Sequence, residues 1–186
     1  MLQQAIAWIL ALCSLAGCGF HQEEQKQSDD HQVSVYAPSE EEQLITTCFE
    51  TLWNEVYSGK DIRAGVSQLT EAEKVFFALN YLDMEIANGG LCQFFANDGG
   101  VFTPYISDYL DTVGAEEHKK LFDDFCMENK IDTGDTSSFA FSNIPEFMDL
   151  YNQYPFDQFD EAYYQLEPLG KYLVNYIALH PELVPE

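Results

Sequence analysis

At 186 residues, 46% hydrophobic and 15% aromatic, the chain can bury one core but not two of ordinary size. Its 32 acidic against 8 basic residues give a formal net charge of −24, a field that repels nucleic acid and attracts basic partners. Direct binding to DNA or RNA is therefore not expected.

The chain opens with an apolar run from Ala5 to Gly17, the length of a signal-peptide core and shorter than a membrane span. It closes on Leu15-Ala16-Gly17-Cys18, which resembles the lipobox of bacterial lipoproteins, although residues 1–4 lack the usual lysine or arginine. The resemblance implies cleavage before Cys18 and diacylglycerol on its sulfur. Residues 1–17 are thus expected to be a lipoprotein-type signal peptide, and the mature chain a lipid-anchored protein of the bacterial envelope. Gly19 in place of aspartate points to the outer membrane where there are two. Residues 18–38 are polar and aperiodic and read as a disordered tether. His21 and His31 within it read as solvated residues rather than metal ligands.

Residues 39–186 are expected to form one compact all-α domain of seven or eight short helices around an aromatic-rich core. Ser39 with Glu42 forms a capping box at the start of the first helix, whose apolar face is Leu44, Ile45, Cys48, Phe49, Leu52 and Val56. Lys60 to Leu69 reads as a connector. Thr70 with Glu73 repeats the capping box, and Val75, Phe76, Leu79, Leu82 and Ile86 continue at helical spacing. Asn88-Gly89-Gly90 is expected to end this helix, a short aromatic one to follow from Leu91, and Gly99-Gly100 to stop that. Thr103-Pro104 starts another helix, which ends at Gly114. Ala115 to Asn129 reads as the next, with His118 on an exposed face beside Lys119 and Lys120. After an irregular stretch from Ile131 to Asn143, helices are expected over 145–154, 157–167 and 169–179. Cys48, Cys92 and Cys126, an odd number, allow either one disulfide with a free thiol or three buried thiols, and they read as buried small hydrophobes.

Asn88, Gly89, Gly90, Gln93, Phe94, Phe95 and Asn97 form a motif supported by Val113-Gly114-Ala115 and by the run from Phe156 to Tyr164. Together they resemble the C-terminal domain family of bacterial DNA-mimic proteins over roughly residues 40 to 180. The motif reads as structural, its amides satisfying backbone groups where one helix stops and the next begins.

No strand-elbow serine, phosphate-cradling glycine loop or paired His/Cys spacing is present. Carboxylate pairs are too common in so acidic a chain to mark hydrolase chemistry. No enzymatic activity, metal or cofactor is therefore expected.

The family resemblance implies another use for the acids. Carboxylates at i and i+4 lie about 6 Å apart along a helix, and duplex DNA carries a phosphate charge about every 1.7 Å, so carboxylate rows on neighbouring helices can occupy a basic groove. The candidates are Asp108, Asp111, Glu116, Glu117, Asp123, Asp124, Asp157, Asp160 and Glu161. The expected partner is a basic protein, with a homodimer left open. The alternatives are a structural envelope lipoprotein, or a cytoplasmic DNA mimic if the signal is not used.

Overall fold

The structure, a computed structural model, describes residues 37–59 and 61–185. The expected signal peptide, Cys18, His21, His31 and all of the tether before Ala37 lie outside the described residues. Among the described residues there are eight α-helices and no strand, as the sequence leads one to expect. They are α1 (Glu40–Val56), α2 (Ile62–Val66), α3 (Glu71–Ala96), α4 (Ile106–Thr112), α5 (Glu116–Glu128), α6 (Ile144–Tyr151), α7 (Phe156–Tyr163) and α8 (Leu169–Leu179).

Both capping boxes form. The Ser39 hydroxyl accepts the Glu42 N–H while the Glu42 carboxylate takes the Ser39 N–H, and Thr70 and Glu73 do the same for α3. The consequence is largest for α3, around which the domain is packed. Its residues 75–79, Val-Phe-Phe-Ala-Leu, are all buried, so every side of this helix meets protein. α1, α4, α7 and α8 all contact it.

Two aromatic groups fill the space between. Phe49, Trp53, Phe77, Tyr81, Phe94 and Phe102 make one; Phe95, Phe122, Phe125, Phe139, Phe156 and Phe159 make the other. Phe94 and Phe95 join them with ring centroids 5.9 Å apart. Tilted, offset pairs of this kind add to the area they bury because ring edges and faces carry opposite partial charge.

Several boundaries differ from expectation for reasons that lie in the packing. The connector contains α2, capped by Asp61 Oδ1, which accepts the Arg63 N–H at 3.0 Å. Gly65 brings α2 so close to Val56 that a Cβ there would run into the Val56 backbone. The expected break at residues 88–90 is present: two helical segments meet there across a sharp kink at Gly89 and Gly90, which both leave helical geometry, and α3 denotes the two together. Gly90 alone takes a left-handed φ there, +80°, while Asn88 stays helical. Thr103-Pro104 begins a 3-10 turn, Thr103–Tyr105, that runs into α4. A second such turn, Ser137–Phe139, buries Phe139 inside the stretch read as irregular. α6 and α7 are shorter than expected, ending at Tyr151 and Tyr163.

Candidate functional site

Kinking α3 separates backbone groups that a straight helix would pair, and it brings Glu85, Gln93 and Asn97 to one point. Glu85, one turn before the kink, is 5% exposed. Its Oε2 accepts the Gln93 side-chain amide at 2.8 Å and the Asn97 amide at 2.9 Å, and the nearby Tyr81 hydroxyl also favours its charged form. Burial raises the Glu85 pKa, and these three groups pull it part of the way back. Nearby, Tyr57 donates to Asp98 Oδ2 at 2.9 Å, tying the end of α1 to the turn after α3.

The motif residues therefore have a structural role, but not through the partners expected of them. Gln93 and Asn97 satisfy a buried carboxylate, not backbone groups. Glu85 itself was missed by sequence reasoning, although an acid three residues after Leu82 and one before Ile86 sits within the apolar stripe and so signals a buried, partnered carboxylate.

The backbone group freed at the kink is met from the other end of the chain. Asp160 on α7 accepts the Leu91 N–H with Oδ1 at 2.9 Å, serving as an N-cap 69 residues away in sequence. Its carboxylate fills the space where a Cβ of Gly90 would stand. Burial pushes the Asp160 carboxyl up to about 6, with Asp157 adding to the rise and the Leu91 N–H opposing it. Asp83 makes a second link in the same seam, taking the Tyr163 hydroxyl at 2.7 Å.

Asp160 is thus a correction to the expected acidic surface: it points inward because the kink leaves an N–H that needs an acceptor. The other eight candidates divide by surroundings. Asp108, Asp111, Glu116, Glu117, Asp157 and Glu161 are exposed, while Asp123 and Asp124 are half-buried. Asp123 holds Lys119 at 2.6 Å and also accepts from Ser107 of α4 at 3.0 Å. Asp108 and Asp111 add a smaller, longer-range push to the Lys119 ammonium, whose pKa is raised chiefly by its bond to Asp123. Lys120 is paired with Asp124. Asp157 accepts the Tyr151 hydroxyl at 2.5 Å, and Glu161 lies on the outer side of α7.

His118 is also a correction. It is 2% exposed, because its spacing of four and seven residues from Phe122 and Phe125 places it on the inward face of α5. Cys48, Cys92 and Cys126 are free and buried. Burial raises all three thiols, Cys92 and Cys126 to about 12, which keeps them protonated and unreactive.

Two concavities mark the surface. One of about 580 Å³ runs along α7 past Gln158, Glu161 and Tyr164. The other, of about 360 Å³, is lined by Asp61, Arg63, Asn97, Asp98 and residues 134–137. Neither is lined by Glu85, Asp83 or Asp160. Among the described residues no group of three His, Cys, Asp or Glu is placed to hold a metal ion, and no helix is long and apolar enough to cross a membrane.

These features define an acidic all-α domain built around one kinked central helix whose polar groups are spent on holding the kink. The chain belongs to the DMP19-like protein family, whose model matches residues 67–180 and is the DNA-mimic-like family that the motif resembles. The match spans α3 to α8 and leaves α1 and α2 outside. No curated protein and no solved structure matches the chain.

Proposed function

We propose that this chain is a non-enzymatic acidic lipoprotein that binds a basic protein through carboxylates of α4 and α5. The observation that carries the reading is the exposure of Asp108, Asp111, Glu116 and Glu117 on α4 and α5, two helices that pack against each other. Each lysine of α5 is matched by an acid of its own helix, which leaves Asp108, Asp111, Glu116 and Glu117 as exposed negative charge on adjoining helices. Membership of a DNA-mimic-like family supports the same use of the surface. A basic groove that accepts phosphates about 1.7 Å apart in axial rise accepts carboxylate rows by the same Coulomb term.

The test is capture of a basic protein from envelope extract at low and at high salt. It is run with the wild-type chain and with a variant carrying Asp108→Asn, Asp111→Asn, Glu116→Gln and Glu117→Gln. A partner held at low salt, released at high salt and bound at least about tenfold more weakly by the variant is expected. Equal capture by both chains would end the surface reading. The membrane anchor rests on the lipobox resemblance and is tested by mass spectrometry of the mature N-terminus. A diacylated Cys18 is expected, whereas an intact Met1 would favour a cytoplasmic DNA mimic acting on a DNA-binding protein, the second reading that the family supports.

A further inference from the structure

Among the described residues, the two ring nitrogens of His118 are the only buried side-chain polar atoms without a hydrogen-bond partner. Every other buried polar side chain, Glu85 and Gln93 included, is satisfied. The His118 ring lies in the first turn of α5 and meets the rings of Tyr163 on α7 and Tyr172 on α8 edge to face, with centroids 5.2 and 5.7 Å away. It is the point at which three helices meet. A neutral imidazole fits such a site as a flat, largely apolar plug. An imidazolium does not, because it brings two N–H donors and a full charge to a place with no acceptor.

We propose that His118 is an acid-sensitive latch: neutral, it fastens the start of α5 against α7 and α8, and once protonated it leaves the site and that turn of α5 undocks.

The charged groups around the ring agree. On α5, Glu117 is exposed and Lys119 is held by Asp123. On α7, the Tyr163 hydroxyl is given to Asp83 of α3. On α8, Tyr172 offers its ring and the neighbouring Lys171 is paired with Glu167. No carboxylate reaches the imidazole, and the positive end of the α5 dipole disfavours a cation in its first turn. Burial lowers the His118 pKa, with Glu117 opposing.

The sign follows from proton counting. The folded state binds fewer protons here than the unfolded chain, so the stability from neutral His118 is complete above the ordinary imidazole value and is lost as pH falls through the lowered one. The α3–α7 seam responds in the opposite direction. Asp83 and Asp160 have raised pKa values, so that seam tightens over the acid range in which the latch fails. Acid therefore loosens α5 locally and leaves the centre intact. Since α5 carries Glu116, Glu117, Asp123 and Asp124, the acidic face changes with it, but the latch rests on packing alone and not on the binding reading.

Hydrogen exchange of the full chain, corrected for intrinsic rates, tests it at about pH 7.5 and about pH 5. In the wild type, protection of residues 119–122, the first hydrogen-bonded amides of α5, should fall about tenfold more than that of residues 91–95. His118→Phe, similar in shape and unable to protonate, should abolish the difference. NMR titration of the wild-type imidazole should place His118 below the ordinary histidine value, and it decides the matter together with wild-type exchange if the variant does not fold. Titration at or above that value, protection of α5 that tracks α3, or a pH response retained by His118→Phe would each overturn the latch.

Discussion

Two residues at the kink carry consequences out of proportion to their size. Gly90 has φ +80° and ψ 178°, a region open to glycine almost alone, and the Asp160 carboxylate occupies the place of a Cβ. Gly90→Ala should cost about 1–3 kcal/mol from the backbone alone, more once Asp160 is pushed off Leu91. Gly89, at φ −165°, needs no left-handed backbone, and what a Cβ there would meet is the side chain of Gln93. In urea unfolding, Gly89→Ala should therefore lose less than Gly90→Ala, and equal losses would contradict the account of the kink. Asp160 also gives a pH dependence. Its folded-state carboxyl keeps its proton up to about 6, above the ordinary aspartate value, so its contribution to stability is complete below that value and is lost as pH rises through about 6. Asp160→Asn keeps an acceptor for Leu91 and removes the titration. The stability of wild type relative to this variant should fall between about pH 4 and about pH 7, and a constant difference would show that Asp160 does not titrate there.

At the scale of the element, α2 shows how a short helix is made by what lies beneath it. Five residues form too few internal bonds to hold a helix in water, and Ile62 and Val66 supply only a small apolar face. Contact with the end of α1 is what makes α2 stable. Gly65 is the residue that permits it, since a Cβ would meet the Val56 backbone, which cannot turn aside as a side chain would. Gly65→Ala should lower stability by about 1–3 kcal/mol, with the loss of exchange protection concentrated in residues 62–66 and at the end of α1. Loss spread evenly over the domain would place the strain elsewhere. The helices with clear start signals behave differently. Both capping boxes could be read from Ser39-Glu42 and Thr70-Glu73 because such a box needs only residues three apart.

For the whole molecule the governing quantity is a net charge of −24. Four of the described lysines are paired with acids three or four residues away on the same helix or at its edge. Local pairing thus engages half of the chain's 8 basic residues and leaves the long-range repulsion in place. That repulsion weakens as the Debye length shrinks from about 30 Å at about 0.01 M salt to about 8 Å at about 0.15 M. The melting temperature should therefore rise with sodium chloride across this range. A fall would mean that the local pairs outweigh the general repulsion.

The helical class, most helix starts, the aromatic core and the family were legible in the chain, because they depend on residue type and on spacings of three, four and seven. The motif from Asn88 to Asn97 was legible too, but its partners were not. Asp160 reads from sequence as one more surface acid, and only folding shows that it meets Leu91. Glu85 and His118 differ from Asp160: each stands at helical spacing within an apolar stripe, a signal of burial that reading a charged or polar residue as exposed by type passes over. Local patterning decided where the helices form, and tertiary packing decided which polar groups each of them meets, because a partner 69 residues distant leaves no periodic trace in the sequence.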